Sequence, residues 1–256
     1  GVNKSHPAFN GKIVAEACFC RNDEGASGNC CYNGQSSQTG SNSALDNTGH
    51  GTNVAGIIIS QNATFRGVAY NASIYAIKVM NSTGDGHLGD VALGIDQCRN
   101  QRTTYNISTI SLSLGEGVYT VASCPTDIDD NINLAYGVNM SIFVASGNSF
   151  NTTGISYPAC SPNATSVGSS KKDDTLDPQT NRIGGSLPNL LAPGYFIKTS
   201  CISGSFNCFA SGTSFATPHA AGAAALLLEK DPTLTPKKIK EILVSTGTLV
   251  SGYPRV

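Results

Sequence analysis

One serine in this 256-residue chain stands where a nucleophile would be favoured. Segment 211–219 reads Ser-Gly-Thr-Ser-Phe-Ala-Thr-Pro-His and places Ser214 at the first turn of an Ala-rich helix. An anion formed at that hydroxyl would lie beside free backbone N–H groups and the positive end of the helix dipole. An acyl-transfer nucleophile benefits most from such a position.

Two further segments carry groups that suit the same chemistry. Segment 49–56, Gly-His-Gly-Thr-Asn-Val-Ala-Gly, places His50 at a turn of small residues before an apolar helix over 54–59, so its imidazole stays accessible. Segment 144–148 ends an apolar strand with Asn148, whose amide can donate a hydrogen bond. Ligands of open α/β folds bind at the carboxyl ends of parallel strands, where Asn148 would lie.

The elements that must position these residues alternate between strands and helices. Amphipathic helices are predicted over 88–100 and 128–138, and short β-branched runs indicate strands at 73–80, 108–114, 141–145 and 164–168. This alternation predicts an α/β fold with three layers, a doubly wound, mostly parallel sheet with helices on both faces. We expect one domain over residues 1–256, without repeats or a linker.

Two helices near the end of the chain differ in their expected burial. Residues 214–228 are almost entirely Ala and Leu, which predicts a helix buried on all sides. A second helix follows over 236–244, with Thr235 as its N-cap and Pro236 at its first position. By contrast, segment 25–48 is rich in Gly, Ser, Asn and Gln and predicts one long surface loop.

Charge and hydropathy exclude two classes of partner. The net charge is −1 with no basic cluster, which argues against nucleic-acid binding. The longest apolar stretch, 220–228, has nine residues where a membrane helix needs about 20, so no membrane span is expected. Only 13% of residues are charged and nine are Cys, a composition typical of secreted, extracellular proteins.

The nine cysteines favour disulfides over a metal site. Four of them crowd together at Cys18, Cys20, Cys30 and Cys31, but a Cys-x-Cys with an adjacent Cys-Cys fits structural zinc poorly. Cys201 and Cys208 bracket a short turn and can pair, and Cys98 with Cys124 is a weaker pairing. Because nine is odd, one thiol is expected to be free or to pair elsewhere, and Cys160 is the candidate.

The segments around His50, Asn148 and Ser214, in this order, resemble the subtilisin-like serine proteases, or subtilases, and the resemblance runs through essentially the whole chain. It implies His50 as general base and Ser214 as nucleophile. It also implies an oxyanion hole formed by the Asn148 side chain with the Ser214 N–H. The implied activity is that of a secreted serine endopeptidase, which cleaves peptide bonds in extended protein substrates through an acyl-enzyme.

The same resemblance implies the substrate-binding residues. Two edge segments would sandwich an extended peptide by β-pairing: Gly84, Asp85, Gly86 and Ser113, Leu114, Gly115. Ala145, Ser146 and Gly147 would form a wall of the main specificity pocket, with Ser156 near its floor. A small floor residue predicts a pocket for a large apolar or aromatic side chain before the cut.

One member of the family's catalytic triad does not match. The triad Asp is expected two residues before Gly1, at the start of a motif that continues to His6 and Pro7. The chain is therefore interpreted as trimmed at both ends, without the family's first core strand and last helix. Losing that Asp lowers turnover by about 10⁴, a magnitude that comes from this same family. Asp46 is not expected to replace it. This polypeptide is therefore predicted to be nearly inactive, and an inactive peptide-binding domain is the alternative function.

Other serine hydrolases fit the sequence less well. An α/β-hydrolase needs its Ser before its His and a Gly-x-Ser-x-Gly elbow, and neither is present. A chymotrypsin-like barrel would place the Ser in an all-β setting, which the Ala-rich helix contradicts. Besides the protease and the inactive peptide-binding domain, a metal-stabilised structural domain is a third possible function.

No cofactor is predicted to be required. Loop 60–67 has no acidic residue, so no calcium site is predicted there, although calcium could bind elsewhere. The expected partners are a protein or peptide substrate and an N-terminal prodomain, and a monomer is expected.

Overall fold

The computed structural model describes residues 1–21 and 30–256. These residues divide into two compact units. The N-terminal unit comprises Gly1–Ile107 and Thr199–Cys208, and the C-terminal unit comprises Ser108–Lys198 and Phe209–Val256. The single domain expected from the sequence stays a prediction.

The described residues of the N-terminal unit form a three-stranded sheet and three helices. Its strands are β1 (Ile13–Phe19), β2 (Ser37–Thr39) and β3 (Ile74–Lys78), in the order β2-β1-β3. The β1–β3 pair is parallel and the β1–β2 pair is antiparallel. The helices are α1 (His50–Ile59), α2 (Leu88–Asn100) and α3 (Arg102–Tyr105).

The expected surface loop over 25–48 was wrong for part of its length. Ser37–Thr39 form strand β2 against β1, and Ser43 and Ala44 are fully buried. The polar composition of the segment does not indicate a strand, because β2 is short and pairs through its backbone. Residues 25–29 lie outside the described residues.

The C-terminal unit is built on a six-stranded sheet that is parallel except at one edge. Its strands are β4 (Thr109–Leu112), β6 (Ser141–Ala145), β8 (Thr165–Ser170), β10 (Leu190–Pro193), β13 (Thr248–Val250) and β14 (Tyr253–Arg255). The order is β13-β14-β10-β8-β6-β4, and only β13–β14 is antiparallel. A smaller ladder in this unit is formed by β5 (Glu116–Tyr119), β7 (Thr153–Tyr157) and β9 (Arg182–Ile183). Strands β11 (Ile197–Thr199) and β12 (Cys208–Ala210) pair separately.

Three helices pack around this sheet: α4 (Asp129–Gly137), α5 (Thr213–Lys230) and α6 (Pro236–Thr246). Helix α5 packs across β4, β6, β8 and β10, and its small residues Ala216, Ala220 and Ala224 are completely buried in the core. Small side chains let the helix approach the sheet closely. The predicted α/β class with a mostly parallel sheet is confirmed.

The predicted helices agree closely with the structure, with one consequential shift. Helix α2 spans the predicted residues 88–100. Helix α1 begins at His50, four residues before its predicted start. His50 therefore belongs to the first helical turn and not to the turn that precedes it.

Four disulfides are present among the described residues: Cys18–Cys31, Cys20–Cys30, Cys124–Cys160 and Cys201–Cys208. The expected bridging of the first cluster and of Cys201 with Cys208 is confirmed. The Cys98–Cys124 pairing was wrong, and so was the choice of Cys160 as the unpaired thiol. Cys98 is the free cysteine, buried in α2, and burial raises its pKa to about 12.

Candidate active site

The structure brings Asn148 and the start of α5 together within the C-terminal unit. Asn148 follows β6, and its Oδ1 accepts hydrogen bonds from the Thr213 N–H at 2.8 Å and the Thr213 hydroxyl at 3.1 Å. Gly212 has a φ of +130°, and a Cβ there would lie 3.1 Å from Asn148 Oδ1. The backbone angle therefore favours glycine, and a Cβ would also be in tight contact with the amide.

Ser214 lies next to this pair, at the second position of α5, and is half-buried. Its N–H has no intrahelical acceptor because it belongs to the first turn. Its Oγ lies 3.3 Å from the Ser113 carbonyl oxygen, to which it donates a long hydrogen bond. The Asn148 amide, the Ser214 N–H and the Ser214 hydroxyl are therefore grouped at one helix terminus, as an oxyanion hole requires.

His50 lies in the N-terminal unit, at the first position of α1. Gly49 before it adopts a left-handed conformation with φ +91°. Asp46 caps the helix start: one carboxylate oxygen accepts the Thr48 and Gly49 N–H groups, and the other accepts the N–H and hydroxyl of Thr52. The helix end that carries His50 is thus fixed by hydrogen bonds to the Asp46 carboxylate.

Two pKa shifts describe this helix start. Desolvation by burial lowers the pKa of His50, and the Asp46 carboxylate opposes this. The neutral imidazole, the form that can accept a proton, therefore predominates at pH 7. For Asp46, burial would raise the pKa, but the hydrogen bonds from Thr52, Gly49 and Thr48 outweigh it and hold the pKa below its usual value.

The two edge segments expected to bind substrate have different local structures. Gly84, Asp85 and Gly86 form an exposed turn, in which Gly84 has a φ of +90° and the Asn81 side chain accepts the Asp85 N–H at 2.9 Å. Ser113, Leu114 and Gly115 follow β4. The role of both segments in substrate binding stays a prediction.

The residues expected to line a specificity pocket are in mutual contact within the C-terminal unit. Ala145 ends β6, Ser146 follows it, and both are buried; the Ser156 N–H donates to the Ser146 carbonyl at 2.9 Å. Ser156 is also buried and its hydroxyl donates to the Gly117 carbonyl at 3.0 Å. Gly147 has a φ of +104°, and a Cβ there would collide with the Ser156 hydroxyl.

Sequence reasoning missed Asn181, which anchors the loop that carries Asn148. Its side chain is completely buried, and Oδ1 accepts the N–H groups of Ser149 at 2.8 Å and Asn151 at 3.1 Å. Its own N–H donates to the Gly147 carbonyl at 2.9 Å. Asn181 stands 33 residues beyond Asn148 in an irregular segment, so no local pattern could have identified it.

Two kinds of feature are missing from residues 1–21 and 30–256. No group of three or more His, Cys, Asp or Glu side chains could hold a metal ion there. No helix in this part of the chain has the length and hydrophobicity needed to cross a membrane.

Comparisons with known proteins show what this chain is similar to. The family model described as "Subtilase family" matches residues 1–255. Subtilisin E of Bacillus subtilis (strain 168) is 34% identical over 257 aligned residues, which cover 98% of this chain and 59% of the relative. This chain thus spans less than two thirds of that relative's length.

Two solved structures share the fold. One, described as a cold adapted subtilisin-like serine proteinase, is 30% identical with a TM-score of 0.76, and the match covers 99% of this chain and 85% of the other. The other, Sphericase, is 26% identical with a TM-score of 0.81, covering 100% of this chain and 88% of the other.

Proposed function

Since this chain belongs to the subtilase family, we propose that it is the catalytic part of a secreted serine endopeptidase that cleaves extended protein substrates. One observation carries the proposal most directly. The Asn148 amide is held by Thr213 beside Ser214 at the N-terminus of α5, so that donors for an oxyanion are in place before substrate binds.

The reaction would proceed through an acyl-enzyme. Ser214 Oγ attacks the scissile carbonyl carbon and gives its proton to His50, while the Asn148 amide and the Ser214 N–H stabilise the oxyanion. Collapse of the tetrahedral intermediate breaks the C–N bond, and the leaving amine takes the proton from His50. Water then attacks the ester with His50 again as base, and releases the carboxylic acid and free Ser214.

Specificity is proposed to come from the pocket beside β6. The Ser156 hydroxyl is already engaged by the Gly117 carbonyl, so it does not offer a free donor to a substrate side chain. We therefore expect a preference for a large apolar or aromatic residue before the cut. A panel of peptides that vary at this position tests the preference, and selective cleavage after Asp or Gly would contradict it.

We propose that the protein is secreted because of its disulfides. Eight of the nine cysteines are paired in bridges, which persist in oxidising compartments and are rare in reducing ones.

An inactive peptide-binding domain is the second candidate. Asp46 is the last acidic residue before His50 in the sequence. Both of its carboxylate oxygens already accept hydrogen bonds at the start of α1, and this favours the binding domain. An Asp that orients the imidazole is needed for full turnover.

Hydrolysis of a fluorogenic protein substrate by the full-length gene product separates the two candidates. If the protein is a protease, the wild type should hydrolyse the substrate, and Ser214→Ala and His50→Ala should each abolish hydrolysis. Folded protein that binds extended peptides without cleaving them would overturn the protease and support the binding domain.

A further inference from the structure

Pro218 removes a backbone donor from the helix that carries the nucleophile. In an α-helix the carbonyl of residue i accepts the N–H of residue i+4, so the Ser214 carbonyl would be served by residue 218. Proline has no N–H, and its ring crowds the carbonyl four residues earlier. Pro218 lies inside α5 and is buried, so water is not readily available as a replacement.

The missing donor is replaced by Ser113, the residue directly after β4. The Ser113 hydroxyl, which follows β4, donates to the Ser214 carbonyl oxygen at 2.6 Å, across 101 residues of sequence. The two neighbouring carbonyls of α5 also meet side chains, Thr213 with the Thr217 hydroxyl and Phe215 with His219 Nδ1, both at 2.8 Å. These two bonds are internal to α5, whereas Ser113 ties the helix to another element.

We propose that Ser113 is a positioning residue whose hydroxyl substitutes for the N–H absent at Pro218 and so fixes the backbone of Ser214. This inference rests on the proposed protease function. It is distinct from the substrate pairing expected of segment 113–115, because pairing uses backbone groups and leaves the hydroxyl unassigned. The Ser214 backbone carries both the attacking hydroxyl and an oxyanion donor, so a small displacement would affect both.

A double-mutant cycle in the full-length gene product tests the substitution. Ser113→Ala removes the donor, and Pro218→Ala restores the N–H at position 218. We expect Ser113→Ala to lower kcat about 10- to 100-fold with little change in KM, in line with the cost of roughly 1 Å of misplacement. In the Pro218→Ala background the same change should lower kcat less than about threefold, because the Ser214 carbonyl has its helical donor again.

Ser111→Ala is the matched control. Ser111 lies on β4, and its buried hydroxyl has no hydrogen-bond partner within the described part of the chain. Its removal should leave kcat near the wild-type value. Equal losses for Ser113→Ala in both backgrounds, or an effect confined to KM, would overturn the proposal.

Unfolding free energies of the same four proteins keep the two hypotheses distinguishable. Ser113→Ala should destabilise the wild-type background more than the Pro218→Ala background, and additive effects would contradict the replacement of the N–H. A wild type that hydrolyses nothing would overturn the proposed function and the catalytic role of Ser113, whereas the unfolding cycle would still decide the structural claim.

Discussion

Asn148 Oδ1 accepts two hydrogen bonds from Thr213, one from the N–H and one from the hydroxyl. A backbone N–H can only donate, so this contact fixes which end of the amide is the oxygen. The Asn148 Nδ2 group must then face away from Thr213. The orientation of the oxyanion donor is therefore set by the first residue of α5, directly before the nucleophile.

Replacing Asn148 by Leu keeps the approximate shape of the side chain and removes the donor. We expect kcat to fall about 10²- to 10³-fold with KM nearly unchanged, because the amide acts on charge that develops in the transition state. This magnitude itself comes from a subtilisin. Steady-state kinetics on a peptide substrate measure it, and an equal rise in KM at constant kcat would contradict the role.

Thr213 should matter through its hydroxyl. Thr213→Val removes the 3.1 Å bond to Asn148 Oδ1 and buries a methyl group in its place, so we expect kcat to fall roughly tenfold as the amide becomes less well oriented. Thr213→Ser keeps the hydroxyl and should recover most of the activity. Equal kcat values for the two variants would show that the hydroxyl does not orient Asn148.

The Cys124–Cys160 bridge closes a loop of 36 residues in the C-terminal unit. Replacing both cysteines by Ser should lower the free energy of unfolding by about 3–4 kcal/mol, from the lost constraint on the unfolded chain. Denaturant unfolding measures the difference. Cys98→Ala, which removes the free thiol, is the control and should cost less, and equal costs would contradict the assigned pairing.

His219 should make stability depend on pH. Burial lowers its pKa in the folded state, and Nδ1 faces the Phe215 carbonyl. The unfolded chain therefore binds a proton below about pH 6.5 that the folded chain does not, so the stabilising contribution is complete above that pH and is lost as the pH falls.

Unfolding free energies measured between pH 7 and pH 5 test this sign. His219→Gln cannot titrate, so it should reduce the slope by up to about 1.4 kcal/mol per pH unit. An unchanged slope would show that His219 does not contribute to it.

The sequence was most informative where local patterns decide the structure. Helix α2 follows the predicted residues because its apolar spacing is regular, and β6 consists of four consecutive apolar residues after Ser141. Cys124 could not be assigned its partner, since pairing depends on distance in the folded chain. Asn181 and the Ser113 hydroxyl also escaped prediction, because each acts on residues at least 30 positions away, through contacts that only tertiary structure creates.

The central claim is that Ser214 is an activated nucleophile. The most direct test is intact-mass analysis of the full-length gene product after exposure to a fluorophosphonate, with Ser214→Ala as control. We expect one adduct, located on Ser214 and missing from the control. Folded protein that acquires no adduct, or an adduct that persists in Ser214→Ala, would contradict the claim.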